Sequence, residues 1–129
     1  MALLLSDEVS AALRRHAVAC YPEECVGALV ATREGRVFPR PLSNAADQPR
    51  TGFSLSARDY LAMEDEAQRK GLTVLGFYHS HPDAPAVPSA RDASAAWPQW
   101  WTVIVPVTKV GAGQPRAWRF DEEARAFRE

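Results

Sequence analysis

Three short, almost unbroken apolar runs constrain this chain more than any other feature. They are "CVGALVAT" (25–32), "LTVLGFYHS" (72–80) and "WWTVIVPV" (100–107). Each reads as a buried strand, by its length, its apolarity and its β-branched and aromatic content. Helical patterns stand between them. Ser6 is placed to cap a helix whose apolar face is Val9, Leu13 and Ala17, and which stops before Pro22. Ser56, with Asp59 three residues on, caps a second helix with Tyr60, Met63 and Ala67 on its buried stripe, and Gly71 ends it. Ser89 opens a short third helix that Pro98 terminates. "RVFPRPL" (36–42) follows the first run across a turn, and Pro39 and Pro41 make it an edge strand. "RAWRFD" (116–121) alternates like a half-exposed strand. The order helix, hairpin, helix, strand, helix, strand, strand predicts an α/β fold in which helices flank a single mixed central sheet.

The 129 residues are enough for one domain, 1–129, with its own core. A net charge of -1 gives no electrostatic reason to expect nucleic acid or a membrane surface as partner. No apolar run approaches the ~20 residues that span a bilayer. "MALLLSDEVSAALRR" lacks the basic start of a signal peptide, so a cytoplasmic location is expected. Cys20 and Cys25, spaced C-x4-C, fit neither a redox pair nor half of a four-cysteine zinc site and are expected as reduced thiols.

The third feature is "GFYHSHPDAPAVPSARD" (76–92). Side chains two apart on a strand share a face, so His79 and His81 can converge on one ion while Ser80 points away. Pro82 is expected to end the strand there, at the carboxyl edge of the sheet where α/β folds open their clefts. A lone H-x-H is weak evidence, but Ser89 and Asp92 follow in the spacing H-x-H-x7-S-x-x-D. Pro82 to Arg91 is enough chain to fold Asp92 back beside the histidines. Two His and one Asp match the three protein ligands of a catalytic zinc site, which keeps its fourth position for water. Ser89 and Asp92 also fit a helix cap and a favourable first-turn charge, and both roles are compatible. A metal-bound water needs a base, and "YPEECVGALV" offers Glu23 or Glu24; spacing alone does not choose between them. Gly27 lets this strand pack closely on a neighbour.

His79, Ser80, His81, Pro82, Ser89 and Asp92 resemble the JAMM motif of the JAB1/MPN metalloprotease family, and "EECVG" is similar to that family's glutamate segment. The resemblance covers essentially the whole chain and is strongest to compact bacterial members. Val26 stands where those members often carry a second cysteine. The resemblance implies the JAMM/MPN (cytidine-deaminase-like) fold and one Zn2+ per chain held by His79, His81 and Asp92. It selects Glu24 over Glu23 as general base, and it implies that Ser89 donates to the oxyanion. It further implies amide-bond hydrolysis at the C-terminal tail of a ubiquitin-like or sulfur-carrier protein.

Two hydrolase alternatives fail on residues. Ala84 occupies the position of the third histidine in a metallo-β-lactamase motif, and the H-x-E and P-C-x-x-C pair of zinc deaminases is missing. The alternative from another class is a catalytically silent MPN-type scaffold that binds a partner protein. Phe53, Trp97 and Trp100 are expected first as core residues and second as the walls of a substrate groove. The polar loop 43–52 is long enough to line that groove. His16, on the first helix, is expected at the surface or boundary and not as a ligand.

Overall fold

The computed structural model describes residue 3 and residues 5–94 and 97–129. Its elements are α1 (Asp7–Cys20), β1 (Val26–Ala31), β2 (Val37–Leu42), α2 (Ala57–Lys70), β3 (Thr73–Pro82) and α3 (Ala90–Ser94). Then come β4 (Trp101–Thr108), β5 (Gly111–Ala112), β6 (Arg116–Asp121) and β7 (Ala126–Arg128). The sheet runs β2-β1-β3-β4-β6-β7, with β5 paired to β4. β3 and β4 are parallel, joined by the crossover that carries α3, and the other pairs are antiparallel. This is the expected mixed sheet flanked by helices. The two short strands β5 and β7 have no counterpart in the sequence pattern, because two or three residues carry no periodic signal.

Local chemistry sets the helix ends where the sequence places them. Ser6 Oγ accepts from Val9 N–H at 3.1 Å, and Ser56 Oγ accepts from Asp59 N–H at 3.0 Å. Gly71 closes α2 in the left-handed region, at φ 67°. The proline-bearing β2 does lie at an edge. Pro39 and Pro41 are two apart, so their nitrogens share one side of the strand, and an edge leaves one side unpaired. Residues 95 and 96, at the end of the third helical pattern, lie outside the described residues. No helix among the described residues is long and apolar enough to cross a membrane.

One expectation is corrected in part. Pro82 is the last residue of β3, but it does not break the ladder: β3 pairs in parallel with β4 through His81↔Pro106 and Pro82↔Val107. The reason lies in which side each backbone group faces. Ser80 N–H points toward β1 and bonds Cys25 O at 3.1 Å. Two residues later the Pro82 nitrogen faces the same side, where pairing with β1 has already ended at Val26↔His79. The missing N–H therefore costs no ladder bond, while Asp83 N–H on the other side bonds Val107 O at 2.7 Å.

The sheet has two different faces. α1 covers one, packing Leu13 and Ala17 over Leu29, Tyr78, Val103, Val105 and Val107, all essentially without exposure. α2 covers part of the other, packing Met63 over Ala28 and Val30. Gly27 and Gly76 are where backbone must come close. A β-carbon on Gly27 would collide with the Tyr78 ring, and one on Gly76 with the backbone of Trp101. The α2 face stays open beyond the helix, and the predicted site lies there.

Candidate active site

His79 and His81 leave β3 on the α2 face, and α3 returns Asp92 to meet them. His79 Nε2 lies 3.1 Å from one Asp92 oxygen, and His81 Nε2 lies 3.2 Å from the other. The two Nε2 atoms are 3.2 Å apart. Zinc bound tetrahedrally at about 2.0–2.1 Å holds its donor atoms about 3.3–3.4 Å from one another; the two imidazole nitrogens have about that separation, and each faces one oxygen of the Asp92 carboxylate. The donor chemistry fits as well. His81 Nδ1–H donates to Pro85 O at 2.9 Å, which turns Nε2 toward Asp92 as the nitrogen that would hold a cation in place of its proton. His79 is buried, and burial lowers its pKa toward the neutral, ligating form. Burial also pulls His81 down, but its bonds to Asp92 and Pro85 outweigh that and raise it. For Asp92 burial alone pushes upward, yet the hydrogen bonds from both imidazoles hold the carboxyl well below the usual range. Three lone-pair donors facing one another favour a positive charge between them, which a divalent cation supplies.

Ser89 and Asp92 form a reciprocal cap. Asp92 N–H donates to Ser89 Oγ at 3.1 Å, and Ser89 N–H donates to the Asp92 carboxylate at 2.8 Å. The same two bonds that start α3 therefore fix the Asp92 carboxylate and place the serine hydroxyl beside it. The Pro-rich connection before them is pinned. Ala86 is buried, and its carbonyl accepts the Trp118 indole N–H at 3.0 Å.

Glu24 sits just before β1 with 8% of its surface exposed. Burial is the main cause that raises its pKa to about 7; Asp92 adds to the rise, and His81 and Arg91 oppose it. The neighbouring Cys25 N–H donates to the buried Ser80 Oγ at 2.8 Å, and Ser80 N–H returns a bond to Cys25 O. Ser80 does point away from the histidines, as strand alternation requires, and uses that direction to clamp the backbone beside Glu24.

Asn44 organises the loop that the sequence marks only as polar. Its side-chain amide donates to Glu24 O and Gly52 O, each at 3.0 Å, while its oxygen accepts from Ala46 N–H and Ser54 N–H. Glu24 N–H closes the connection on Pro49 O at 2.7 Å. The available signal was the asparagine itself, whose side chain commonly bonds the backbone two residues on.

A cavity of about 850 Å³ joins these groups, with Glu24, His79, His81, Ser89 and Asp92 in its lining. Phe53, Trp97 and Trp100 line it too, which corrects the expectation that they pack in the core. Phe53 stacks on the His79 ring at 4.5 Å, Trp100 packs edge-on against Phe77, and Trp97 is 61% exposed. All three come from connecting segments; Trp100 still meets Tyr60 of α2, with ring centroids 6.4 Å apart, whereas Trp97 is left largely uncovered. His16 is half-buried on the opposite face, with Nδ1 2.7 Å from the Tyr78 hydroxyl. Cys20 and Cys25 are free thiols, and Cys25 is buried.

With this geometry established, the chain can be set beside known proteins. The family described as prokaryotic homologs of the JAB domain matches residues 6–121. The chain is 32% identical over 101 residues to a desampylase of Haloferax volcanii, covering 76% of this chain and 73% of that one. It is 36% identical over 119 residues to a probable TtuB-protein conjugate cleaving protease of Thermus thermophilus, covering 92% of this chain and 73% of that one. A solution structure of a Salinibacter ruber protein superposes with a TM-score of 0.70 at 34% identity, covering 96% of this chain and 86% of that one. A JAB1/MPN domain protein from Archaeoglobus fulgidus has the same fold at 14% identity, with a TM-score of 0.51 over 94% of this chain and 90% of that one. The chain belongs to the prokaryotic JAB-domain family.

Proposed function

We propose that this protein is a zinc-dependent peptidase that hydrolyses an amide bond at the C-terminal tail of a ubiquitin-like, sulfur-carrier type protein. The observation that carries the reading is the convergence of His79, His81 and Asp92 in a cavity that also contains a buried glutamate. The relatives named as a desampylase and a conjugate-cleaving protease support hydrolysis of ubiquitin-like conjugates. His79, His81 and Asp92 would hold the zinc, which would supply Lewis acidity and bring a water's pKa to about 7. Glu24, with its own pKa raised to about 7, is matched to take a proton from the attacking water and return it to the departing amine nitrogen. Ser89 Oγ already accepts the Asp92 N–H, so its own O–H remains to donate to the carbonyl oxygen as negative charge develops there. The stacked Phe53 ring fixes the plane of His79.

The scaffold alternative needs a site that has lost its ligands, and this one keeps all three beside the base. Metal analysis of protein purified without a histidine tag should find about one zinc per chain; less than about a tenth would sink the metallopeptidase reading. Glu24→Gln should retain the metal and lose turnover of a Gly-Gly-extended carrier by about 100-fold or more, followed by mass. Normal turnover by that variant would remove Glu24 from the base role.

A further inference from the structure

α3 is the element of the site with the least packing behind it. It is five residues long and none of them is buried. Its placement therefore rests on polar contacts from two successive residues. Asp92 faces the imidazoles of β3. Arg91 reaches elsewhere, and its guanidinium donates to Thr51 O at 3.0 Å. Successive residues of a helix diverge by about 100°, so the two contacts hold α3 in two directions and resist its rotation.

The loop that Arg91 reaches is the one that holds the base. Glu24 N–H donates to Pro49 O at 2.7 Å, and the Asn44 side chain spans the carbonyls of Glu24 and Gly52. Both polar backbone groups of Glu24 are thus bound to this loop. Among the described hydrogen bonds, Arg91 to Thr51 is the only one between the loop and α3. Gly52 fits the contact. It is buried, its φ lies outside the left-handed region, and the three nearest atoms that a β-carbon there would meet all belong to Arg91. A glycine at this position makes room for the guanidinium and is not needed for its backbone freedom.

We propose that Arg91 is a positioning residue, which clasps Thr51 and Gly52 and so holds α3, with Ser89 and Asp92, in place against the segment that carries Glu24. The proposal rests on the hydrolytic reading above and adds to it a residue outside the metal, base and serine set. Arg91 touches no reacting atom in this role. Hydrolysis needs the Glu24 carboxylate and the Ser89 hydroxyl to address the same amide, one at its water and nitrogen, the other at its oxygen. A misplacement of about 1 Å between them slows the reaction more than it weakens binding. Ser80 already ties the Glu24 segment to β3, and Arg91 supplies the corresponding tie to α3.

Two substitutions approach the contact from opposite sides. Arg91→Ala removes the guanidinium from an exposed position, and Gly52→Ala puts a methyl group where the guanidinium lies. Each should lower kcat on a Gly-Gly-extended carrier about fivefold, with KM within about twofold of native. Because both break one contact, the double variant should be no slower than either alone. Amide exchange at Glu24, whose N–H the loop holds, gives a readout without turnover, and each substitution should speed it about fivefold. Losses that multiply to about 25-fold in the double variant overturn the proposal, since the two residues then act separately. So does an unchanged kcat, or a loss carried by KM alone. Exchange at Glu24 that neither substitution alters overturns it whatever the kinetics, because any effect then bypasses the loop. If the native protein turns over no carrier while both substitutions still speed that exchange, the hydrolytic reading fails and the Arg91 link to the loop stands.

Discussion

The two faces of one strand show how the fold divides its work. Along β3, Tyr78 and Ser80 point to the α1 face and Phe77, His79 and His81 to the α2 face. On the α1 face a histidine meets a tyrosine hydroxyl under a complete helix, and neither group faces a cavity. On the α2 face two histidines meet a carboxylate at the edge of an open cavity. The residue types are similar, and the difference is coverage. A polar pair under a helix is a satisfied core contact, whereas the same chemistry beyond the helix can meet a ligand.

The largest effect expected from this comparison is on stability, at Gly27. Gly27→Ala drives a methyl group into the Tyr78 ring on the closed face and should cost about 3 kcal/mol, a fall in Tm of roughly 10 °C. The matching change on the open face, Trp97→Ala, removes a far larger side chain that is 61% exposed. It should change stability by no more than about 0.5 kcal/mol. Thermal melts of the two variants test this, and a Trp97→Ala loss as large as that of Gly27→Ala would mean the open face is a core after all.

A smaller effect separates the faces by pH. Burial raises Glu24 to about 7 from an ordinary 4.5, so the folded state holds a proton that the unfolded chain has released. A folded pKa above the unfolded one gives a contribution fully present below about pH 4.5 and lost as pH rises through about 7. Metal-free native protein should therefore lose about 1–2 kcal/mol between those limits, after allowance for partial solvation, and Glu24→Gln should not. Urea titrations of both proteins at pH 5 and pH 8 read the difference; parallel curves would contradict a perturbed glutamate.

The same division explains what sequence reading recovered. Ser6, Ser56, Gly71 and the S-x-x-D of α3 are local devices, and each acts within three or four residues of itself. The convergence of His79, His81 and Asp92, a group that could hold a metal ion, was legible because strand alternation and a helix cap fix its geometry from short spacings. Pro82 misled because the pairing it would break depends on where β1 ends, which lies more than fifty residues away in sequence. Trp97, Trp100 and Phe53 misled for a related reason. Apolar character predicts burial, but these three sit on connecting segments that line the cavity and are only partly covered. Asn44, Arg91 and Trp118 act across distances of 8 to 40 residues, which no periodicity encodes.

The smallest effects bear on whether the two faces are independent. Tyr78 and Ser80 are neighbours on the closed side of β3, yet they connect differently. The Tyr78 hydroxyl reaches only His16 among the described hydrogen bonds, whereas Ser80 Oγ holds Cys25 N–H, one residue from Glu24. Tyr78→Phe should cost about 1 kcal/mol in urea unfolding and leave kcat/KM within about twofold. Ser80→Ala should cost a similar amount of stability, because it strands a buried N–H, but it also releases the backbone that aims the glutamate. With Glu24 in the proposed base role, its kcat should fall about tenfold with KM little changed, since misplacing a base acts on the transition state more than on binding. Equal kinetics for the two variants would show that Ser80 is simply another core contact. A kinetic effect from Tyr78→Phe would show instead that the closed face reaches the site through packing, and the division by coverage would then have to be given up.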